Sequence, residues 1–140
     1  VNQQRVLILC TGNSARSQMA EGYLRARGGD RFVVESAGSQ PGRVRPEAIQ
    51  VMDELGIDLR SHRSKHVDEF AGQSFDIVIT VCDHARDVCP VFPQGTQRLH
   101  WSFEDPAALN GTQAERLNEF RRIRDQIAAR FDAWLAEMPT

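Results

Sequence analysis

Lysine is almost missing from this 140-residue chain: its 17 basic side chains are 16 arginines and a single lysine, Lys65. There is no basic surplus either, since 19 acidic residues leave a formal charge of −2 and the arginines are scattered. That balance disfavours nucleic acid or an anionic membrane as the main partner. Long apolar runs are absent. Val6–Cys10 and Ile77–Cys82 are far too short to span a bilayer. No charged-then-apolar signal segment opens the sequence, so a cytoplasmic location is expected. Cysteine is scarce and odd in number, three in all. A chain of this size needs no disulfide staple, so reactive thiols or plain buried cysteines are expected instead of a secreted framework. With 41% hydrophobic and 26% charged residues the composition is that of one soluble globular domain, spanning residues 1–140.

What is present alternates between strands and helices. Arg5–Leu9 is a continuous apolar run, as for a strand buried on both faces. After Cys10–Arg16, helical spacing of Met19, Ala20, Tyr23 and Leu24 predicts a helix that Gly28 and Gly29 stop. Phe32–Glu35 reads as a second strand, closed by Ser36–Gly38. Pro46 is a good first helical residue, and Ile49, Met52 and Leu55 mark a helix ended by Gly56. Ser61–Gly72 is polar and ambiguous, compatible with a short helix that turns Val67, Phe70 and Ala71 inward. Phe75–Val81 is a third strand, Cys82–Pro93 a loop or short helix, and Gln97–Trp101 a fourth strand. Thr112 and Glu115 form a capping box. Leu117, Phe120, Ile123, Ile127, Phe131 and Trp134 then repeat at steps of three and four, which predicts a long C-terminal helix packed on the core. The expected fold is α/β: a four-stranded parallel sheet with helices on both faces.

In such a sheet ligands bind at the carboxyl ends of the strands. Cys10 sits at one, and the chain must turn sharply before the next helix begins near Ser17. Gly12, Asn13 and Ser14 tolerate the dihedrals this requires. Thr11, Gly12, Asn13, Ser14 and Ala15 can then aim backbone N–H groups at one centre. A tetrahedral oxyanion would be held there by those amides, the helix start and the guanidinium fork of Arg16. The same field is expected to lower the pKa of Cys10, giving a thiolate nucleophile to which Ser17 can donate. The spacing alone is weak, because some Cys-x5-Arg arises by chance roughly one time in three with this many arginines. The strand–loop–helix context strengthens it.

The segments CTGNSARSQMAEG at Cys10–Gly22, SAG at Ser36–Gly38, VCD at Val81–Asp83, Cys89-Pro90 and HWSFEDPA at His100–Ala107 together resemble the thioredoxin-coupled arsenate reductases. These share the low-molecular-weight protein tyrosine phosphatase fold, and the motifs fall in the family's order along nearly the whole chain. The resemblance implies that Cys10 attacks arsenate, that the loop Thr11–Arg16 binds its oxygens, and that Asp105 protonates the departing oxygen. It implies further that Cys82 attacks Cys10, releasing arsenite, and that Cys89 then forms a Cys82–Cys89 disulfide reduced by thioredoxin. The implied role is arsenic detoxification by a monomer with no bound cofactor or metal, with phosphate or sulfate as substrate mimics.

Each residue also has a plainer reading. Asp105 can be an Asp-Pro turn residue; to serve as an acid it must be kept protonated by burial or by the bound anion. Cys82 and Cys89 can be packing residues, or with His84 three soft ligands for zinc, although no Cys-x2-Cys pair and no fourth ligand accompany them. His62, His66 and His100 read as solvated or core histidines. The alternative function is a low-molecular-weight phosphatase acting on phosphotyrosine or aryl esters. Cys82 and Cys89 are superfluous to that chemistry, and no tyrosine follows Asp105-Pro106; the only tyrosine is Tyr23. A non-catalytic anion sensor would need neither a general acid nor resolving cysteines.

The sequence departs from the family pattern at two places. Ala15 stands where many members have another cysteine, which removes one route to oxidative side reactions. Some members bind potassium through residues matching Asn13, Glu21 and Ser36 and an aspartate at the position of Lys65. Here the lysine ammonium is expected to replace that cation, paired with Glu21 behind the loop. The stretch from Cys82 to Cys89 is expected to refold during the cycle. A helix would hold the two Cα atoms about 10 Å apart, and a disulfide tolerates only about 4.4–6.8 Å.

Overall fold

A computed structural model describes residues 3–70, 72–82 and 96–138. Its sheet has four parallel strands, β1 (Gln4–Cys10), β2 (Phe32–Gly38), β3 (Ile77–Thr80) and β4 (Gln97–His100), in the order β2-β1-β3-β4. Among the described residues the α-helices are α1 (Arg16–Gly28), α2 (Pro46–Asp53) and α3 (Gln113–Glu137). Successive strand residues point to opposite faces. Val6, Leu7, Ile8 and Leu9 are all at most 3% exposed, so both faces of the central strand are covered. This is the burial expected of a parallel sheet.

The long C-terminal helix forms as its pattern predicts. Thr112 accepts from the Glu115 N–H while Glu115 accepts from the Thr112 N–H, and Phe120, Ile123, Ile127, Phe131 and Trp134 are buried. Phe131 and Trp134 meet Trp101 edge-on, and Trp134 stacks on Phe32, so one aromatic cluster ties α3 to β2 and the end of β4. Helix α1 contacts both α2 and α3, and α2 contacts α3.

Some boundaries differ from the sequence expectation. Strand β2 runs on through Ser36, Ala37 and Gly38, because its pairing with β1 continues to the Cys10–Gly38 register. Helix α2 stops at Asp53 and buries Ala48, Val51 and Met52, leaving Leu55 44% exposed beyond its end. The polar stretch contains one 3-10 turn, Val67–Phe70, with Val67 and Phe70 buried. Ala71, the stretch 83–95 with His84 and Cys89, and hence the expected refolding between Cys82 and Cys89, lie outside the described residues. Among those described, no helix is long and apolar enough to cross a membrane.

Candidate active site

The chain leaves β1 at Cys10 and enters α1 at Arg16, turning through Asn13 at φ 47°, the one described non-glycine residue with positive φ. Asparagine tolerates that conformation better than most residues. Its side chain is fully buried and holds the turn from both ends. Nδ2 donates to Ser17 Oγ at 2.8 Å and Ser36 Oγ at 2.9 Å, while Oδ1 accepts from the Lys65 N–H at 2.8 Å and Gln18 Nε2 at 3.0 Å. The loop's carbonyls are also engaged. Thr11, Gly12 and Ser14 accept from the N–H groups of Gln40, Gly42 and Arg45, and Ser64 Oγ donates to the Gly12 carbonyl. With the carbonyls occupied by this flanking chain, the loop has its amides left for a ligand. Ala15, at the start of α1, supplies no side-chain cap, unlike Thr112 at α3. The first-turn N–H groups of α1 are therefore free of a protein cap, as an anion site requires.

Gly38 explains the close fit of β2 to this loop. A Cβ there would lie 2.3 Å from the Thr11 carbonyl oxygen and 2.7 Å from that of Cys10. Only glycine allows two backbones to approach so closely.

Arg16 closes the open side. Its Nη1 donates to the Phe103 carbonyl at 3.1 Å, and Nη2 stands 3.9 Å from Asp105 Oδ2. Asp105 has extended backbone before Pro106, and its Oδ1 accepts from the Ala107 N–H at 2.9 Å. The turn role and the position facing Arg16 therefore coexist. Its side chain is 46% exposed.

Cys82 follows β3, and the pairing of β1 with β3 carries it to the Cys10 end of the sheet. Both thiols are buried. Cys82 Sγ lies 3.3 Å from Thr11 Oγ1. The surroundings of Cys10 correct the expectation of a lowered pKa. Cys82 is the largest influence and pushes the Cys10 thiol up; burial adds to it. The Arg16 charge and the Thr11 N–H pull the other way. Ser17 is buried but accepts from Asn13, and its hydroxyl makes no hydrogen bond to Cys10.

Behind the loop, Lys65 is only 7% exposed, so it is no surface lysine. Its Nζ lies 3.6 Å from Glu21, the expected partner, and nearer still, 3.3 Å, to Glu35. Glu21 also accepts from Ser36 Oγ and pairs with Arg25 at 3.1 Å. Sequence reasoning missed Glu35, Arg25, Gln18 and His62 here. Gln18 Oε1 lies 3.0 Å from His62 Nδ1, and its Nε2 reaches Asn13, so His62 is linked to the loop through one side chain. Burial pushes His62 below its ordinary pKa, with Glu21 opposing. Every residue from Ser17 to Leu24 is buried, polar ones included, so no hydrophobic periodicity in the sequence singles out Gln18. His66 Nδ1 accepts from the Asp68 N–H and His100 Nδ1 meets Thr80 Oγ1, both structural contacts.

The loop from Cys10 to Arg16 lies within a stretch that matches a known enzyme family. The family described as Low molecular weight phosphotyrosine protein phosphatase matches residues 5–140. The chain belongs to that family. Among the proteins it is similar to are arsenate reductases. It is 45% identical over 130 residues to the arsenate reductase of Halalkalibacterium halodurans, covering 93% of this chain and 94% of that protein. A solved arsenate reductase in the phosphate-binding state is 32% identical with a TM-score of 0.78, covering 98% of this chain and 100% of the other. The thioredoxin-dependent arsenate reductase of Corynebacterium glutamicum is 26% identical with a TM-score of 0.71, covering 97% of this chain and 64% of its own.

Proposed function

We propose that this member of the phosphatase family reduces arsenate to arsenite, with Cys10 as nucleophile and Cys82 and Cys89 as a relay to thioredoxin. The observation that carries the reading is a second buried cysteine, Cys82, brought by the β1–β3 pairing to the Cys10 end of the sheet with its Sγ 3.3 Å from Thr11 Oγ1 of the oxyanion loop. Ester hydrolysis requires one nucleophilic cysteine there, whereas a two-electron reduction requires a second thiol to close a disulfide.

The Cys10 thiol passes its proton to the incoming oxyanion and the sulfur attacks arsenic while loop amides and Arg16 hold the oxygens; Asp105 gives a proton to the departing oxygen, which leaves as water. The Cys82 thiolate then attacks Cys10 Sγ. The sulfur–arsenic pair of electrons stays with arsenic, which becomes arsenite, and a Cys10–Cys82 disulfide forms. Thr11 is placed to orient Cys82 through its hydroxyl. Cys89 attacks Cys82, Cys10 leaves as a thiolate, and thioredoxin supplies two electrons to the Cys82–Cys89 disulfide. Glu21, Ser36 and Lys65 hold the loop from behind, with the ammonium as resident cation. Ser17 positions Asn13. The partners are arsenate and thioredoxin, and the likeness to a thioredoxin-dependent reductase supports the latter.

The test is arsenate turnover with thioredoxin, thioredoxin reductase and NADPH, beside aryl phosphate hydrolysis on the same preparation. Cys10→Ser should abolish both. Cys82→Ser and Cys89→Ser should lose multiple-turnover reduction and keep hydrolysis, and Cys89→Ser should accumulate a Cys10–Cys82 disulfide after one turnover. If Cys82→Ser still cycles with thioredoxin, the relay is wrong. If only the ester is turned over, the protein is a phosphatase.

A further inference from the structure

The segment Gln40–Arg45 is bound to the oxyanion loop by three main-chain hydrogen bonds, Gln40 to Thr11, Gly42 to Gly12 and Arg45 to Ser14. It carries two arginines, Arg43 and Arg45, the first exposed and the second half-buried. Almost every other described arginine is engaged with a carboxylate, carbonyl or ring, as Arg5, Arg25, Arg60, Arg116, Arg121 and Arg124 illustrate. Among the described residues Arg43 and Arg45 have no such partner. Their charge is not cancelled locally either. Residues 36–46 and 10–20 contain no carboxylate, and Glu47, next in the chain, is buried against Arg116. The carboxylate at the mouth, Asp105, already faces Arg16.

We infer that Arg43 and Arg45 form an electrostatic collar that draws small multivalent oxyanions to the Cys10 loop, raising the rate of capture without taking part in the chemistry. Two cations with no ion-pair partner among the described residues, carried by a segment hydrogen-bonded to the loop, act on an incoming dianion from well within one Debye length at low salt, about 30 Å at 0.01 M. Steering of this kind raises association rates and fades with ionic strength. The identity of the oxyanion as arsenate rests on the reading above, but the collar would act equally on phosphate.

The experiment therefore has two arms. The first measures inorganic phosphate binding by calorimetry, and the second arsenate kcat and KM, each at ionic strengths from 0.01 to 0.5 M. For Arg43→Gln/Arg45→Gln, phosphate affinity and arsenate kcat/KM should fall about fivefold at 0.01 M, with kcat unchanged and the difference nearly gone at 0.5 M. Arg43→Lys/Arg45→Lys should restore the wild-type salt slope, which a role in local folding would not. If the double Gln variant keeps the wild-type salt slope for phosphate, or changes only KM for thioredoxin, the collar is overturned. If no arsenate is reduced but phosphate binding follows the predicted slope, the collar stands and the reductase reading falls.

Discussion

At Cys10 two influences of opposite sign meet. Arg16 and the Thr11 N–H favour the thiolate, while Cys82 and burial favour the thiol and prevail. Removing Cys82 should therefore lower the Cys10 pKa. In Cys82→Ala, alkylation of Cys10 by iodoacetamide, followed by peptide mass mapping, should proceed several-fold faster near neutral pH than in wild type. An unchanged pH profile would mean that Cys82 does not hold the Cys10 pKa up. Lys65 gives a second prediction at this scale. Its ammonium faces Glu21 and Glu35, with Arg25 supplying the other positive charge. Lys65→Met leaves two carboxylates with one close, permanently charged partner, and should cost about 3–5 kcal/mol of stability. In the wild type, rate and melting temperature should be the same in potassium, sodium or tetramethylammonium at fixed ionic strength; a potassium-specific gain would show that the lysine does not fill that role. Both residues were singled out by sequence, Cys10 by its place at a strand end and Lys65 by its uniqueness. The influence of Cys82 on Cys10 was not legible, because it depends on side chains brought together across two strands.

At the scale of elements, the strands and the C-terminal helix were legible because burial imposes a period on them: continuous apolar runs in β1 and β3, and steps of three and four in α3. Elements whose partners are polar were not. The end of β2 reads as a turn by composition, yet backbone pairing with β1 carries it to Gly38. Helix α2 reads as continuing to Leu55, yet it ends where Asp53 and Glu54 turn to Arg60, Arg121 and Arg124. Gln18 and His62 were missed for the same reason, since a buried hydrogen-bonded face leaves no hydrophobic signature. The Gly38 contact makes a specific prediction. A methyl group there would press on the carbonyls of Thr11 and Cys10, which are backbone and cannot rotate away. Gly38→Ala should cost about 1–3 kcal/mol and weaken phosphate binding, because the loop itself must shift. Gly42→Ala is the control: its Cβ meets nothing within 4 Å, so its stability should stay within about 0.5 kcal/mol of wild type. Equal effects in denaturant titrations of the two variants would remove the close approach as the reason for glycine at position 38.

Across the whole molecule, acidification should destabilise the fold in two separate steps. His62 is held below its ordinary value of 6.5 by burial, opposed by Glu21 and Asp58 and assisted by Arg25 and Lys65. A depressed histidine means that the unfolded chain takes up a proton that the folded chain refuses. Stability is thus fully present above pH 6.5 and declines as the pH falls toward the folded-state value, with a slope of at most about 1.4 kcal/mol per pH unit for one site. The second step belongs to carboxylates. Glu54 is pulled down to about 2 by Arg121 and Arg124, and Glu69, Glu115 and Glu119 are lowered by Arg63, Thr112 and Arg122 respectively. Their stabilisation is present above their ordinary value of 4.5 and is lost as pH drops toward 2. These groups are solvent-facing, so salt should weaken the lower step and leave the upper one nearly intact. Chemical denaturation from pH 8 to 3 would resolve the two. His62→Gln, which can keep a hydrogen bond to Gln18 without titrating, should flatten the limb between about pH 6.5 and 5 while preserving the lower one. Glu54→Gln should do the reverse. A His62→Gln curve that keeps the wild-type slope above pH 5 would show that His62 gains its proton as readily folded as unfolded, and that its burial against Gln18 and Glu21 carries no cost in charge.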